Sequence, residues 1–265
     1  MNIAVRNNIS NRLKNSTSVI GYYSYTNRCK QSKNNNKYNE EIMNCNNQAE
    51  YWNKVAKDKE FTTSLDLNIF SELINKNSLL IDYGCGYGRT LNELSSFGYK
   101  NLIGFDYSSK MIERGKKEYP DLDLRVSKDN KIDCPSNSVD IVFLFAVLTC
   151  IIDNETQKEL IKEIKRVLKP NGFIYINDFL INYDSRNKKR YGKYADKYNN
   201  YGVFELSEGA VLRHHEKNWI FELTNEFERI YYKENTFKTM NENLSNGFVY
   251  FGKKNYKASL QHLSI

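Results

Sequence analysis

The chain lacks the features that mark membrane-spanning and secreted proteins. No apolar run reaches the ~20 residues that a helix needs to cross a bilayer. The longest run, residues 141–152, is interrupted by Thr149. The N-terminus is polar and has no apolar core typical of a signal peptide. We therefore expect no membrane segment and a cytoplasmic chain.

Cysteine is present without any pattern typical of a disulfide framework or a metal site. The five cysteines stand at positions 29, 45, 85, 134 and 150, and none belongs to a Cys-x-x-Cys pair. An odd number of thiols without such spacing is typical of a reducing compartment. We expect free thiols and no bound metal.

Excess positive charge is confined to the N-terminal part of the chain. Residues 1–39 carry seven basic side chains and no acidic one, and the remaining 32 basic residues are matched by 32 acidic ones. A non-specific nucleic-acid binder needs a positive field over its folded surface. We predict a basic arm over residues 1–45, a neutral domain over residues 46–255 and a tail over residues 256–265. Nucleic acid is disfavoured as a partner.

The most informative motif is LLIDYGCGYGR, residues 79–89. Its first three residues form an apolar run typical of a strand buried on both faces of a parallel sheet. Gly84, Gly86 and Gly88 follow at alternate positions, and glycine lets a ligand lie directly on the main chain. From Arg89 onward, apolar residues recur at helical spacing. Strand, glycine loop and helix together predict a site in which backbone N–H groups face a bound group.

Two other glycine motifs are excluded by the residues that follow. A dinucleotide fingerprint needs a glycine where Arg89 stands, and a P-loop needs a Gly-Lys-Ser/Thr sequence that is absent. Asp106 ends the next predicted strand, where a doubly wound sheet places a carboxylate on ribose hydroxyls. This position predicts a ribose without indicating which cofactor carries it. The alternative role is a helix N-cap, which Ser108 or Ser109 can also provide.

Three later features complete a pattern. A polar loop follows the third predicted strand at residues 127–130. A fourth strand spans residues 138–145 and is apolar throughout residues 141–145. The sequence RVLKPNG precedes a fifth strand at residues 173–178. With the glycine loop and Asp106, this pattern resembles the class I S-adenosylmethionine (SAM)-dependent methyltransferases of the small-molecule type. The resemblance covers roughly residues 50–180.

The resemblance implies a doubly wound, mostly parallel, Rossmann-like sheet of seven strands. We expect an antiparallel C-terminal strand, N-terminal helices over residues 50–74, and an insertion at residues 181–218 that forms a substrate lid. SAM is the implied cofactor, and a small molecule methylated on O or N is the implied partner. The implied cofactor-binding residues are Asp82, Gly84, Cys85, Gly86, Gly88, Arg89, Asp106, Tyr107, Met111, Asp129 and Phe145. For the adenine contact, Lys128 and Asp129 both fit, and we choose Asp129.

The acceptor side of the predicted site is marked by aromatic residues and one hydroxyl. We predict Tyr51, Trp52, Thr149 and Tyr183 as substrate-binding residues. The aromatic residues serve equally well as anchors for a helix or a surface lid. Thr149 and Cys150 stand where related enzymes often carry a histidine, so a base from that loop is in doubt.

Histidine is scarce, with three in the chain, and two of the three are adjacent. Imidazole titrates near neutral pH and suits a general base. Adjacent residues on a strand face opposite ways, so at most one of His214 and His215 points into a site, and Arg213 shares a face with His215. We predict all three as catalytic residues. Their alternative role is ordinary packing.

Competing functions remain open at this point. One is an RNA methyltransferase that uses the basic arm and the Tyr/Lys-rich insertion. Another is a non-catalytic protein that binds SAM or a protein partner. A nicotinamide-dependent dehydrogenase is disfavoured by Arg89.

Overall fold

The structure is a computed structural model that describes residues 48–127, 131–240 and 242–255. The strands in chain order are β1 Leu79–Tyr83, β2 Asn101–Asp106, β3 Asp123–Val126, β4 Val139–Phe145, β5 Leu168–Phe179, β6 Val203–Glu205, β7 Val211–Arg213, β8 Phe227–Lys238 and β9 Leu244–Lys254. The helices are α1 Gln48–Val55, α2 Arg89–Ser96, α3 Ser109–Glu118, α4 Asn154–Val167, α5 Ser185–Tyr198 and α6 Lys217–Leu223. Two short 3-10 turns lie at Leu67–Ile69 and Leu148–Cys150.

Seven strands form one sheet in the order β3-β2-β1-β4-β5-β9-β8. The pairs among β1 to β5 are parallel, and β9 runs antiparallel to both of its neighbours, β5 and β8. The predicted fold class is therefore confirmed. Strand order reverses at β1, which lies between β2 and β4. In a doubly wound sheet such a reversal opens a crevice at the carboxyl ends of the strands, where ligands bind.

Apolar residues on both faces of the central strands hold the sheet between two layers of helices. In β4, the four residues 141–144 are completely buried. One face packs against α4 and α6, and the other packs against α2, α3 and the segment that contains Phe70. Burial on both faces explains why β1 and β4 read as continuous apolar runs in the sequence.

The prediction of a second N-terminal helix across residues 61–74 is wrong. α1 is present, but the following segment has only the 3-10 turn Leu67–Ile69, which Asp66 caps by accepting a hydrogen bond from Asn68 N. Residues 61–66 read FTTSLD, and β-branched threonine, serine and aspartate are poor in helix interiors. This segment instead has a non-helical conformation and passes over the carboxyl ends of the parallel strands.

The predicted turn before strand five is a bulge inside β5. Leu168 pairs with Val139, and Phe173 pairs with Ile141, so residues 169–172 bulge out of the ladder. Asn171 has the positive φ of 65° that this detour needs.

The insertion after β5 consists of α5 followed by the two-stranded sheet β6–β7. These three elements all lie within the predicted insertion at residues 181–218. The predicted arm at residues 1–45, the first two residues of the predicted domain and the predicted tail at residues 256–265 all lie outside the described residues. The domain boundaries therefore remain predictions. No helix in the described ranges is long and apolar enough to cross a membrane.

Candidate active site

The loop between β1 and α2 owes its shape to glycine. Gly84, Gly86 and Gly88 all have positive φ, at 77°, 56° and 88°. A Cβ on Gly84 would lie 2.5 Å from Val147 Cγ2, and one on Gly88 would lie 3.2 Å from Leu122 and Leu124. The third glycine therefore serves packing against β3, whereas the first two shape the loop at the crevice.

The face of Gly86 is covered by a side chain of the protein itself. A Cβ on Gly86 would overlap the ring of Phe61, which stacks on Tyr87 with ring centroids 5.2 Å apart. The expectation of bare main chain at this glycine is therefore wrong. A ligand that binds at this loop must lie beside Phe61 or displace it.

Asp106 links the glycine loop to the start of α3. Its Oδ2 accepts a hydrogen bond from Gly86 N at 2.8 Å, and its Oδ1 accepts one from Ser108 N at 2.7 Å. Burial raises the pKa of Asp106 to about 6, and these two backbone donors oppose the rise. Ser108, not Asp106, caps α3 by accepting from Met111 N. The N-cap alternative is thus taken by Ser108, and the Asp106 carboxylate retains lone pairs for further donors.

Asp82 lies in the buried part of β1 and has an unpartnered side-chain oxygen. Only 1% of the residue is exposed, and Oδ1 has no hydrogen-bond partner in the described ranges. Burial raises the pKa of Asp82 to about 7; Arg89 lowers it and Asp106 raises it further. A cation placed beside Asp82 would favour the charged carboxylate.

The other predicted cofactor residues lie in several different environments. Tyr107 accepts a hydrogen bond from Tyr83 OH at 3.2 Å, and Phe145 lies at the end of β4 with its ring stacked on Phe143. Met111 is buried in α3 beside Tyr87. Cys85 is buried in the core. Asp129 falls outside the described residues.

A segment that the sequence did not single out lies across the carboxyl ends of the parallel strands. We call residues 58–66 the strap. Its contacts to the domain are made by Glu60, Thr62, Thr63 and Ser64. The Glu60 carboxylate accepts hydrogen bonds from Tyr87 OH at 2.7 Å and from Arg114. Thr62 Oγ1 donates to Lys238 O at 2.9 Å. The backbone carbonyls of the next two residues are acceptors: Thr63 O accepts from Arg89, and Ser64 O accepts from Asn177 Nδ2 at 3.2 Å. Two of these contacts, from Thr62 to Lys238 and from Asn177 to Ser64, join parts of the chain more than a hundred residues apart.

The four predicted substrate residues do not form one cluster. Tyr51 and Trp52 lie on α1 with their rings in an edge contact at 5.1 Å, and Trp52 packs toward Phe61. Thr149 is buried and donates through Oγ1 to Arg213 O at 2.8 Å. Tyr183 is 65% exposed and lines a separate cavity of about 550 Å³ beside the β8–β9 hairpin.

The two predicted catalytic histidines are buried and face opposite ways. His214 Nδ1 is 2.6 Å from Tyr191 OH, and His215 Nε2 is 2.8 Å from Gln157 Nε2. Burial lowers the pKa of His214 and lowers that of His215 to about 3, so both rings are neutral at pH 7. Arg213 donates to Ile152 O at 3.0 Å. These are contacts of packed side chains, and the catalytic role of all three stays a prediction.

Asp178, near the end of β5, is not among the site residues predicted from the sequence. It is 1% exposed and accepts hydrogen bonds from Phe179 N at 2.7 Å and from Thr149 N at 3.2 Å. It thereby holds the turn Leu148–Cys150 that follows β4. Burial raises the pKa of Asp178 to about 7, and the backbone donors oppose the rise. The signal that could have found it is its place at the end of a predicted strand, the same signal that singles out Asp106.

Replacing Asp178 by asparagine is expected to change how stability depends on pH. The pKa of Asp178 in the folded chain, about 7, lies above the ordinary aspartate value of about 4. Between these values the folded chain holds a proton that the unfolded chain has lost, so stability falls as pH rises through this window. Asp178→Asn removes that contribution. Urea unfolding at pH 5 and pH 7.5 measures the free energy of unfolding. Between these pH values the variant should lose less of it than the parent chain does. An equal loss in both chains would contradict the raised pKa of Asp178.

Comparison with known proteins bears directly on the chemistry of this site. Residues 81–176 match a family described as a methyltransferase domain. A SAM-dependent methyltransferase from Methanosarcina mazei has the same fold with a TM-score of 0.67 at 26% identity, over 72% of this chain and 99% of that one. Residues 81–176 form a methyltransferase domain, and the fold of the chain is that of a SAM-dependent methyltransferase.

Two curated proteins are similar to this chain over shorter stretches. An uncharacterised methyltransferase of Schizosaccharomyces pombe is 35% identical over 101 residues, which are 37% of this chain and 38% of that protein. A sterol 4-C-methyltransferase of Caenorhabditis elegans is 28% identical over 144 residues, 51% of this chain and 42% of that protein. The match spans less than half the length of either relative.

The residues at the crevice fit the SAM cofactor of this family. The buried Asp82 has an unpartnered oxygen suited to an ammonium group, and Asp106 has remaining acceptor capacity suited to ribose hydroxyls. No group of three or more His, Cys, Asp or Glu side chains within the described part of the chain is arranged to hold a metal ion.

Proposed function

We propose that this methyltransferase transfers the methyl group of SAM to an O or N atom of a small-molecule acceptor. The observation that carries the proposal is the arrangement at the switch point of the sheet. There, the glycine loop after β1 is tied through Gly86 N to Asp106 at the end of β2, and Asp82 lies buried beside it.

Each residue of this arrangement has a role in binding. When bound, SAM supplies a methyl group on a positively charged sulfur, which an acceptor lone pair takes while the C–S bonding electrons return to sulfur. Asp106 accepts hydrogen bonds from the ribose hydroxyls, and Asp82 accepts from the ammonium group. Tyr107 and Met111 border the adenine. α1 and the strap exclude water from the edge of the sheet, which favours transfer to the acceptor over loss of the methyl group to water.

A small acceptor is favoured by what covers the crevice. Gln48 Nε2 donates to Val211 O at 2.6 Å, and Lys59 Nζ lies 3.6 Å from Glu208 Oε1. The start of α1 and the start of the strap are therefore each tied to the insertion. This cover leaves less room for a folded polymer than for a metabolite. Outside residues 1–39 the chain has no net charge, which also disfavours nucleic acid.

A transfer assay with methyl-labelled SAM and a cell extract tests the proposal. The extract is separated by size into small molecules, RNA and protein before the reaction. We expect label in the small-molecule fraction, and none when Asp106→Ala replaces the parent chain. Label that enters only RNA or only protein would overturn the small-molecule acceptor. Label in no fraction, with SAM bound, would favour a non-catalytic binding protein.

A further inference from the structure

The cavity of about 550 Å³ beside the β8–β9 hairpin lies just past the carboxyl end of β5. Its lining comes from the segment after β5, from Thr236 in β8 and from residues 243–246 at the start of β9. Phe179 and Gly247 form the last pair between β5 and β9 at this end, so these lining segments extend beyond the ladder. A cavity of this volume is in the range of small-molecule sites.

The floor of the cavity is polar, buried and held by hydrogen bonds. Asn182 is 5% exposed and Ser245 is 2% exposed. Asn182 Nδ2 donates to Leu180 O at 2.9 Å and to Ser245 Oγ at 3.0 Å, and Asn182 Oδ1 accepts from Asn246 N at 2.8 Å. The Ser245 hydroxyl donates to no acceptor within the described ranges. Its proton is therefore available to a ligand.

One cationic side chain in the lining is not committed to another part of the protein. Arg186 makes no hydrogen bond or ion pair with the residues that the structure describes. The acidic lining residue, Asp184, is engaged as the N-cap of α5, where its two oxygens accept from Asn187 N at 3.1 Å and from Asn187 Nδ2. A guanidinium that has no protein partner suits a carboxylate or a phosphate, to which it can donate two parallel hydrogen bonds.

The charge around the mouth of the cavity has the sign that attracts such a group. Residues 185–195 of α5 carry five basic side chains and no acidic one. A cleft bordered by charges of one sign raises the local concentration of ligands of the opposite sign. Beside the guanidinium, the cavity also has apolar contact surface, because Tyr183 is 65% exposed and Leu244 is 69% exposed.

The cavity is within reach of the crevice at the glycine loop. The crevice opens between β1 and β4, and the cavity lies at the ends of β5, β9 and β8, which follow in the sheet. Neighbouring strands are about 4.8 Å apart, so two to three strand spacings, roughly 10–15 Å, separate the two places. A metabolite of ordinary size spans this distance.

We propose that this cavity binds the carboxylate or phosphate group of the methyl acceptor, and that Arg186 selects an acidic acceptor. Arg186 and the Ser245 hydroxyl donate to the acid group, and Tyr183 and Leu244 contact the part of the acceptor next to it. The acid group is held away from the crevice, so it is not the group that is methylated. This inference rests on the proposed function, since it names the chemical class of that acceptor.

Four small probes that share a phenyl ring test the charge preference of the cavity. Benzoate and phenyl phosphate carry the two candidate anions, benzyl alcohol is neutral and benzylamine is cationic. Each is titrated by NMR into the full chain with S-adenosylhomocysteine present, and fragments of this size bind in the millimolar range. We expect at least one anion to bind about tenfold more tightly than the neutral and cationic probes. The tighter of the two anions identifies the acid group.

Arg186→Gln is expected to weaken the bound anion by about tenfold, as for hydrogen bonds between charged groups. The matched control is Lys189→Gln, which makes the same change of charge on α5 at a residue outside the cavity lining and should change the affinity by no more than about twofold. Arg186→Lys should retain part of the affinity because it keeps the charge. Equal losses in Arg186→Gln and Lys189→Gln, or equal binding of all four probes, or no binding of either anion, would overturn the inference.

A transfer assay separates this inference from the function on which it rests. The methyl-labelled small-molecule fraction is passed over an anion exchanger, and we expect the label among the retained, acidic compounds. Arg186→Gln should reduce this label while the affinity for S-adenosylhomocysteine stays unchanged. Label only in compounds that are not retained would overturn the acidic acceptor and leave the small-molecule methyltransferase in place. Absence of label from the whole small-molecule fraction would overturn the proposed function itself.

Discussion

Phe70→Ala is expected to lower the free energy of unfolding by about 3–5 kcal/mol, the usual cost of removing a buried phenylalanine ring. Phe70 is completely buried, and its ring centroid lies 5.3 Å from that of Phe143, 5.9 Å from that of Tyr175 and 6.1 Å from that of Tyr99. It follows the 3-10 turn Leu67–Ile69 and anchors the segment that continues from the strap. Urea unfolding followed by circular dichroism measures the loss.

Leu73 provides a matched control for Phe70 in the same segment. It lies three positions further along and is 53% exposed. Leu73→Ala should therefore change the free energy of unfolding by no more than about 0.5 kcal/mol. If the two variants lose similar amounts, the segment does not pack as described.

Asp106→Ala is expected to weaken the binding of S-adenosylhomocysteine by about 2–3 kcal/mol. The variant removes the acceptor for the ribose hydroxyls and leaves Gly86 N and Ser108 N without their present partner. The loop that forms the site loses its support at the same time, which places the effect at the upper end of the range for such bonds. Calorimetric titration of the variant and the parent measures it.

An exposed aspartate in the neighbouring strand is the control for Asp106. Asp123 begins β3, away from the carboxyl ends of the strands, and pairs with Arg125. Asp123→Ala should leave the affinity unchanged. An unaltered dissociation constant in Asp106→Ala would remove this residue from the ribose role.

The core of the fold was predictable because its signals are local. β1 and β4 are recognisable as apolar runs, the glycine loop lies between a strand and a helix, and Asp106 ends the next strand. Each of these features is contained in a few consecutive residues. The order of the strands then follows from the family pattern, and the structure has that order.

The strap could not be predicted because nothing in its own residues indicates its partners. Thr62 contacts Lys238, and Ser64 contacts Asn177, each more than a hundred positions away. The same reason explains Gly86, whose lack of a side chain suggested a ligand although Phe61 covers it. A glycine shows that something approaches the main chain closely, but not whether it belongs to the protein.

The histidines illustrate the same difficulty from the side of chemistry. Their scarcity and adjacency suggested a general base, yet the environment of His214 is set by Tyr191 on α5 and that of His215 by Gln157 on α4. Conversely, Arg186 is one of several basic residues in its stretch of the sequence. Only the cavity that it lines distinguishes it.

Titration of the full parent chain with S-adenosylhomocysteine tests the central claim most directly, namely that the crevice at the carboxyl ends of β1 and β2 is a cofactor site. We predict one saturable site per chain, competed by SAM. A folded chain that gives no saturable binding at millimolar ligand would contradict the account.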